Sequence, residues 1–337
     1  MRQDKLTNQG DKGKCFQLEE GILMPLAARL SIDRNMGKTE GKRTFRAFAS
    51  VGRLHITFIA ALGTFTFGWL FMGKYPWFLA GVCALDWYFV NLFNRIVDLK
   101  EDEANEIRGT DFVVRHRRGL LGLCFALLVV SLLVVYFINP AITPLRITCH
   151  VMGLFYNWPL LPGGRRLKQQ YFWKNTTSAV GFLFTVLGYP LATLTWEKGL
   201  HHFPPGITWV TVVFSALFLF LFVLSYEVIY DLRDVQGDKL ARIRTYPVVH
   251  GEGAAIHIVD GLLLSSMLVL SVGYITGFVP WRICIMAAAP IIQYAVYKRA
   301  LRRGISAKDC ILLTWIGAAL FIIYHLWVLA DLPGAGL

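Results

Sequence analysis

From Val51 onward the chain is a succession of apolar runs of about 18 to 24 residues, interrupted by short polar connections. Roughly 20 helical residues cross a ~30 Å hydrocarbon core. Inside that core every backbone N–H and C=O must be satisfied internally, which favours helices. The expected fold is therefore all-α, a polytopic membrane bundle. Nine transmembrane helices are predicted, at residues 51–72, 77–97, 119–138, 141–158, 173–194, 207–230, 254–278, 280–297 and 309–330. Residues 1–45 are polar and basic and lack the apolar stretch of a secretory signal. They are expected to form a flexible cytoplasmic N-terminal tail, and residues 46–337 the membrane domain.

The formal net charge of +12 raises the question of a nucleic-acid partner, and the distribution of charge answers it. All but four of the 34 Lys and Arg fall in the N-terminal region or near the connections after spans 2, 4, 6 and 8. The exceptions are Lys74, Arg146, Lys198 and Arg282. The positive-inside rule then puts the N-terminus in the cytoplasm and the C-terminus on the opposite side. The excess charge serves topology and the anionic headgroups of the lipid bilayer, so no nucleic-acid partner is expected. Six cysteines are present, none in a CxxC pair. They read as small buried apolar residues.

Two connections on the cytoplasmic side are acidic as well as basic. In NRIVDLKED, Asn94, Asp98 and Asp102 recur every fourth residue, and Asn91 lies seven before Asp98. On a helix these residues share one face. In YEVIYDLRDVQGDK, Asp231, Asp234 and Asp238 make a second stripe, with Glu227 one turn earlier and Gly237 expected to end the helix before Asp238. Pairing of these acids with Arg95, Lys100 or Arg233 at a solvated helix end is the structural alternative. Like charges on one helix face repel, and acids at a membrane boundary are candidates for function. Carboxylates with an amide oxygen are hard ligands suited to Mg²⁺, which usually bridges to phosphate. The parent helices of the two stripes are separated by four spans, which suggests two pseudo-repeated four-helix units plus a ninth helix.

At these residues the chain resembles the UbiA superfamily of intramembrane prenyltransferases. NRIVDLKED is similar to its first Asp-rich motif, NDxxDxxxD, with Arg95 where Asp is often found, so no ligand role is assigned to Arg95. DLRDVQGD is similar to the second motif, DxxDxxxD, and RTYPVVHG to the segment that commonly follows it. The resemblance extends over roughly residues 46–330. It implies that Asn94, Asp98, Asp102, Asp231, Asp234 and Asp238 hold two Mg²⁺ ions, with Mn²⁺ able to substitute, on an isoprenoid diphosphate. Asp98, Asp102, Asp231 and Asp234 are then the catalytic set. The implied reaction transfers a prenyl group through an allylic cation to a small aromatic or other lipophilic acceptor. No oligomeric state is assigned.

Substrate-binding residues are expected around the motifs. Tyr156, Tyr226 and Tyr230 are candidates to line an isoprenoid cavity, with Trp87, Tyr88, Phe93 and Trp158 as further aromatics nearby. Lys168, Lys174 and Asn175 follow span 4 and are expected on the diphosphate, as are Lys239 and Arg244 beside the second motif. Arg165 and Arg166 belong to the same basic element. Arg53 at the head of span 1 and Asn91 complete the set. Asp86 is expected to orient the acceptor or pair with Arg53, and His325 to be a packing residue. Two other readings share the motifs: a terpene cyclase acting on a prenyl diphosphate alone, and a cation transporter. The latter conflicts with stripes placed at one surface, because transporter sites lie near the bilayer midplane.

Overall fold

The computed structural model describes residues 51–104, 107, 109–199, 202–332 and 334. The chain divides into two units, Met1–Phe45 and Arg46–Leu337. The first, with the tail expected to be flexible, lies outside the described residues. Among the described residues of the second, secondary structure is helical apart from an isolated bridge between Leu161 and Arg165.

Helix α1 (Leu54–Met72) ends at Gly73, whose left-handed φ of 69° caps Trp69 O and turns the chain into α2 (Trp77–Val97). A short helix, α3 (Leu99–Ala104), follows directly. Next come α4 (Thr110–Ile138) and α5 (Thr143–Asn157). After a linker carrying one turn of 3₁₀ helix at Leu167–Gln169, α6 (Trp173–Leu183) passes through a π-helical turn, Phe184–Gly188, into α7 (Tyr189–Lys198). The longest helix, α8 (Trp209–Leu240), begins with a Thr208 capping box. It packs along α9 (Tyr246–Ile275). A short turn α10 (Trp281–Cys284), α11 (Ala288–Leu301) and α12 (Ala307–Leu329) complete the bundle.

Six of these segments are long and apolar enough to cross a membrane: α1, α4, α6–α7 taken through the π turn, α8, α9 and α12. Three expected spans fall outside that set. The polar residues Asp86, Asn91, Asn94 and Arg95 dilute α2, while α5 has 15 residues and α11 has 14. The outward surface is apolar, with Phe137 and Ile275 80% and 82% exposed. A surface of that kind is at home against lipid and is a liability in water.

Helix ends depart from the expected ones in a consistent way. α4 starts at Thr110, nine residues before the apolar run, and α8 continues ten residues past 230. Charged residues end an apolar run without ending a helix, because Asp, Arg and Lys are tolerated in a helix that emerges into water. Gly237 lies inside α8, so Asp238 belongs to the same helix as Asp231, against the expectation that Gly237 stops it. Three basic residues counted towards the charge at the membrane faces are buried instead: Arg95 and Arg146 at 0% exposure and Arg282 at 6%.

The core has three apolar clusters. One joins α1, α8, α9 and α12 through residues such as Phe67, Phe71, Phe218 and Leu313. A second ties α1, α2 and α7 around Trp87 and Tyr189. The third packs Phe89, Phe93 and Ile96 of α2 against Val113 and Cys124 of α4. The π turn anchors the middle of the bundle, where Thr185 Oγ1 accepts from Trp87 Nε1 at 3.0 Å and Thr185 O accepts from Thr64 at 3.2 Å.

Candidate active site

A cavity of about 350 Å³ lies between α1, α2, α5, α6, α8 and α12, within the size range of small-molecule sites. Tyr156, Tyr226 and Tyr230 line it as expected, together with Trp87, Arg53 and Asn91. The Tyr226 hydroxyl donates to Leu313 O at 3.2 Å, and the Tyr230 hydroxyl meets Thr314 Oγ1 at 3.0 Å. Gly317 permits this approach: a Cβ there would stand 2.7 Å from Ile59 and 2.9 Å from the Tyr226 hydroxyl. Tyr88, Phe93 and Trp158 are not on the cavity wall. Phe93 packs against Trp158 at 5.2 Å between ring centroids.

The first stripe is built on two helices. Asp98 is the C-cap of α2, with φ −92° and ψ 26°, so the helix predicted to be continuous breaks there. The fourth-residue register survives the break, since Asp98 N donates to Asn94 O and Asp102 N to Asp98 O, both at 2.9 Å. Arg166 and Lys168 reach this stripe from the linker after α5. Lys168 Nζ lies 2.6 Å from Asp98 and 2.5 Å from Glu101, and Arg166 lies 3.1 Å and 2.7 Å from the same two. Asp102 forms an ion pair with the buried Arg95 and has Arg53 4.0 Å away. Burial pushes the Asp102 carboxyl above the usual carboxylate range against the pull of those arginines. Burial acts on Glu101 too, but Lys168 and Arg166 outweigh it and hold that carboxyl below its ordinary value.

In the second stripe one lysine bridges two carboxylates. Lys174, at the head of α6, lies 2.8 Å from Asp231 and 2.9 Å from Asp238, which α8 carries two turns apart. Asn175 Nδ2 donates to Asp231 at 2.7 Å. Asp234 is engaged by its neighbour Arg233, whose guanidinium also lies over the Tyr230 ring at 4.8 Å. The two stripes lie on adjacent elements, because α3 packs on α8. The linker that covers the first also touches the end of the second, where Gln169 Nε2 donates to Ala241 O at 3.3 Å.

Of the expected residues, the carboxylates with Lys168, Lys174 and Asn175 form two paired clusters, and Arg53, Asn91, Asn94, Tyr156, Tyr226 and Tyr230 line the cavity. Lys239 and Arg244 are exposed and do not line it, and Arg244 lies over the Tyr171 ring at 6.0 Å. Asp86 lies on the cavity wall and does not pair with Arg53. Its carboxylate is held by Arg146 at 2.9 Å, His150 at 3.0 Å and the Tyr189 hydroxyl at 2.8 Å. His325 does pack in the core, against Phe65 and Trp69, with Nε2 2.9 Å from Thr66 Oγ1. Residues not singled out from sequence include Glu101, Ser178, which donates to Glu227 at 2.6 Å on the cavity wall, and Asn157. The signal for Glu101 was its place in the acidic cluster. Asn157 gave none beyond its neighbour Tyr156.

The donor set suits a hard divalent cation. It offers carboxylate and amide oxygens, and the Asn94 Oδ1 on the cavity wall has no hydrogen-bond partner among the described residues. Among those residues no three His, Cys, Asp or Glu side chains converge as a closed metal cage. Mg²⁺ does not require one, since it keeps waters and takes phosphate oxygens alongside one or two carboxylates.

Comparison with known proteins adds three findings. The model of the UbiA prenyltransferase family matches residues 47–322. Digeranylgeranylglyceryl phosphate synthase of Methanopyrus kandleri is 32% identical over 85 residues, which are 25% of this chain and 31% of that protein. The match thus spans about a third of the length of that curated relative. Among solved structures, a UbiA homolog from Archaeoglobus fulgidus bound to DMAPP and Mg²⁺ has a TM-score of 0.61 at 16% identity, covering 85% of this chain and 99% of that chain. The structure bound to GPP and Mg²⁺ has a TM-score of 0.60, also at 16% identity, over 83% and 98%. At this identity the likeness is one of fold.

Proposed function

The chain belongs to the UbiA prenyltransferase family, and from that premise we propose that it transfers a prenyl group from an isoprenoid diphosphate to a small lipophilic acceptor within the membrane. One observation carries the reading: the wall of an apolar, aromatic cavity includes Asn94 of the first acidic stripe and Glu227, one turn before the second, and basic residues neutralise both stripes. An isoprenoid diphosphate has the same division, a lipid-like chain and a polyanionic head. The Archaeoglobus fulgidus homolog binds DMAPP or GPP with Mg²⁺ on a similar fold, which supports this substrate class.

In this reading Asn94, Asp98, Asp102, Asp231, Asp234 and Asp238 hold two Mg²⁺ ions. As a Lewis acid, bound Mg²⁺ neutralises the diphosphate and makes it a better leaving group. Lys168, Arg166 and Lys174 then turn from the carboxylates to the diphosphate oxygens, with charge-assisted hydrogen bonds. Arg53 and Asn175 border the same head group. Tyr156, Tyr226 and Tyr230 present ring faces to the allylic cation, and the apolar wall excludes water that would quench it. In this reading the chain crosses nine times with the N-terminus and the stripes cytoplasmic, so that a charged head stays at the surface while its chain enters the bundle.

Mass spectrometry of products from purified protein, GPP, Mg²⁺ and a panel of lipophilic acceptors tests the proposal. A prenylated acceptor is the expected product. Recovery of intact GPP with every acceptor overturns it, and a cyclic hydrocarbon from GPP alone would reassign the chemistry as cyclisation.

A further inference from the structure

The cavity has two unlike walls. The side formed by α8 and α12 is apolar and aromatic, with Phe218, Phe222 and Phe321 prominent. The seam between α2 and α5 is polar. These helices run in register: His150 Nε2 lies 3.0 Å from Asp86 Oδ1, and a Cβ on Gly153 would meet Val90 at 3.7 Å. Continued by one turn, that register brings Asn157 level with Asn94, and both line the cavity.

Besides Asn94, two amide groups on this seam are unsatisfied. Asn157 is fully buried, and its Nδ2 donates to Gly153 O at 3.0 Å. That bond fixes which way the amide faces and leaves Oδ1 with no partner among the described residues. Asn91 is 4% exposed, and its Nδ2 likewise has none. A buried polar atom of this kind destabilises the site unless something bonds to it. A lone-pair acceptor and an N–H donor within about a helical turn of each other complement a hydroxyl, which has one of each sense. Asn91 is three residues deeper than Asn94, about 4.5 Å at helical rise. That is the level of a carbon bonded to a diphosphate held at Asn94.

We propose that Asn157 and Asn91 form the subsite for a hydroxyl on the lipophilic acceptor. Asn157 Oδ1 accepts from its O–H, and Asn91 Nδ2 donates to its oxygen. The prenyl chain takes the aromatic wall opposite, so the two substrates lie side by side. The assignment rests on the prenyl-transfer reading for the identity of its occupant, and the test separates the two.

The probes are 4-hexylphenol and its methyl ether, 4-hexylanisole, titrated into the purified full chain. Binding is read from tryptophan fluorescence, because Trp87 and Trp327 line the cavity. The phenol is expected to bind about tenfold more tightly than the ether, as one satisfied buried hydrogen bond provides. The preference is expected to fall to about threefold or less in Asn157→Leu, whereas Asn91→Leu is expected to weaken both probes several-fold, because the ether oxygen accepts from Asn91 as the phenol oxygen does. Equal affinities in the unaltered chain overturn the proposal whether or not either variant folds. So does the absence of saturable quenching by both probes, the full preference surviving in folded Asn157→Leu, or unchanged affinity for both probes in folded Asn91→Leu. Mg²⁺-dependent consumption of GPP is measured in parallel. Its failure would overturn prenyl transfer while leaving the hydroxyl preference as an independent result.

Discussion

The first acidic stripe sits on a helix that breaks at Asp98, whereas the second sits on a helix that runs unbroken from Trp209 to Leu240. The difference extends to their cations. Lys168 and Arg166 each touch both Asp98 and Glu101, so the first stripe is covered twice over by one linker. Lys174 alone spans Asp231 and Asp238. A broken helix end with a double cover from a loop can rearrange by moving the linker. A continuous helix cannot, and has to exchange its bridging lysine in place. The comparison assigns adjustment to the first stripe and fixed geometry to the second.

The largest effect tests what the two share. Asp98→Ala and Asp231→Ala are each expected to lower prenyl-transfer turnover by roughly 10³-fold, the loss of a ligand worth several kcal/mol in the transition state. Excess chelator should do the same to the unaltered chain, with Mn²⁺ restoring part of the rate. Initial rates of diphosphate release measure both. A residual rate of a tenth or more in either variant would mean that its stripe is structural.

The next effect sharpens the contrast. Lys174→Met strips the shared cation from two buried carboxylates, and breaking a buried pair costs about 3–5 kcal/mol. Arg166→Met leaves Lys168 on both of its carboxylates and should cost about 1 kcal/mol or less. Thermal unfolding without added metal measures the pair. Equal losses would show that the two stripes are covered alike.

How much of this could be read from the sequence depends on the kind of information each residue carries. The stripes were legible because Asn94, Asp98 and Asp102 recur every four residues, and the backbone keeps that register even across the break. The helix ends were not, since nothing local stops α8 at residue 230 or at Gly237. Arg146 illustrates a deeper limit. Its charge counts the same in a loop or beneath a bundle, and only the meeting of α2, α4, α5 and α7 makes it the partner of Asp86. The pairing of Arg166 with Asp98 and Glu101 was hidden for the same reason, because a linker's landing place is a tertiary property. Asn157 became visible only when a cavity wall showed its oxygen without a partner.

The smallest effect checks the two expected residues that the structure leaves at the surface. Lys239→Ala and Arg244→Ala should each change the rate and the KM for GPP by about twofold or less, in line with exposed charges whose pairwise contributions are below ~1 kcal/mol. A tenfold rise in KM for either would move the diphosphate towards the end of α8.

The central claim is that both stripes act on one diphosphate at the same time, and thermal unfolding in the presence of Mg²⁺ and GPP tests it most directly. A ligand that binds only the folded form adds RT ln(1 + [L]/Kd), about 2.7 kcal/mol at a hundredfold excess over Kd. The account predicts a rise in Tm with Mg²⁺ and GPP together that clearly exceeds the sum of the rises with each alone. It also predicts that this excess disappears in Asp102→Asn and, separately, in Asp238→Asn. An excess that survives intact when either stripe is altered would contradict the claim, because one stripe would then bind metal and diphosphate without the other.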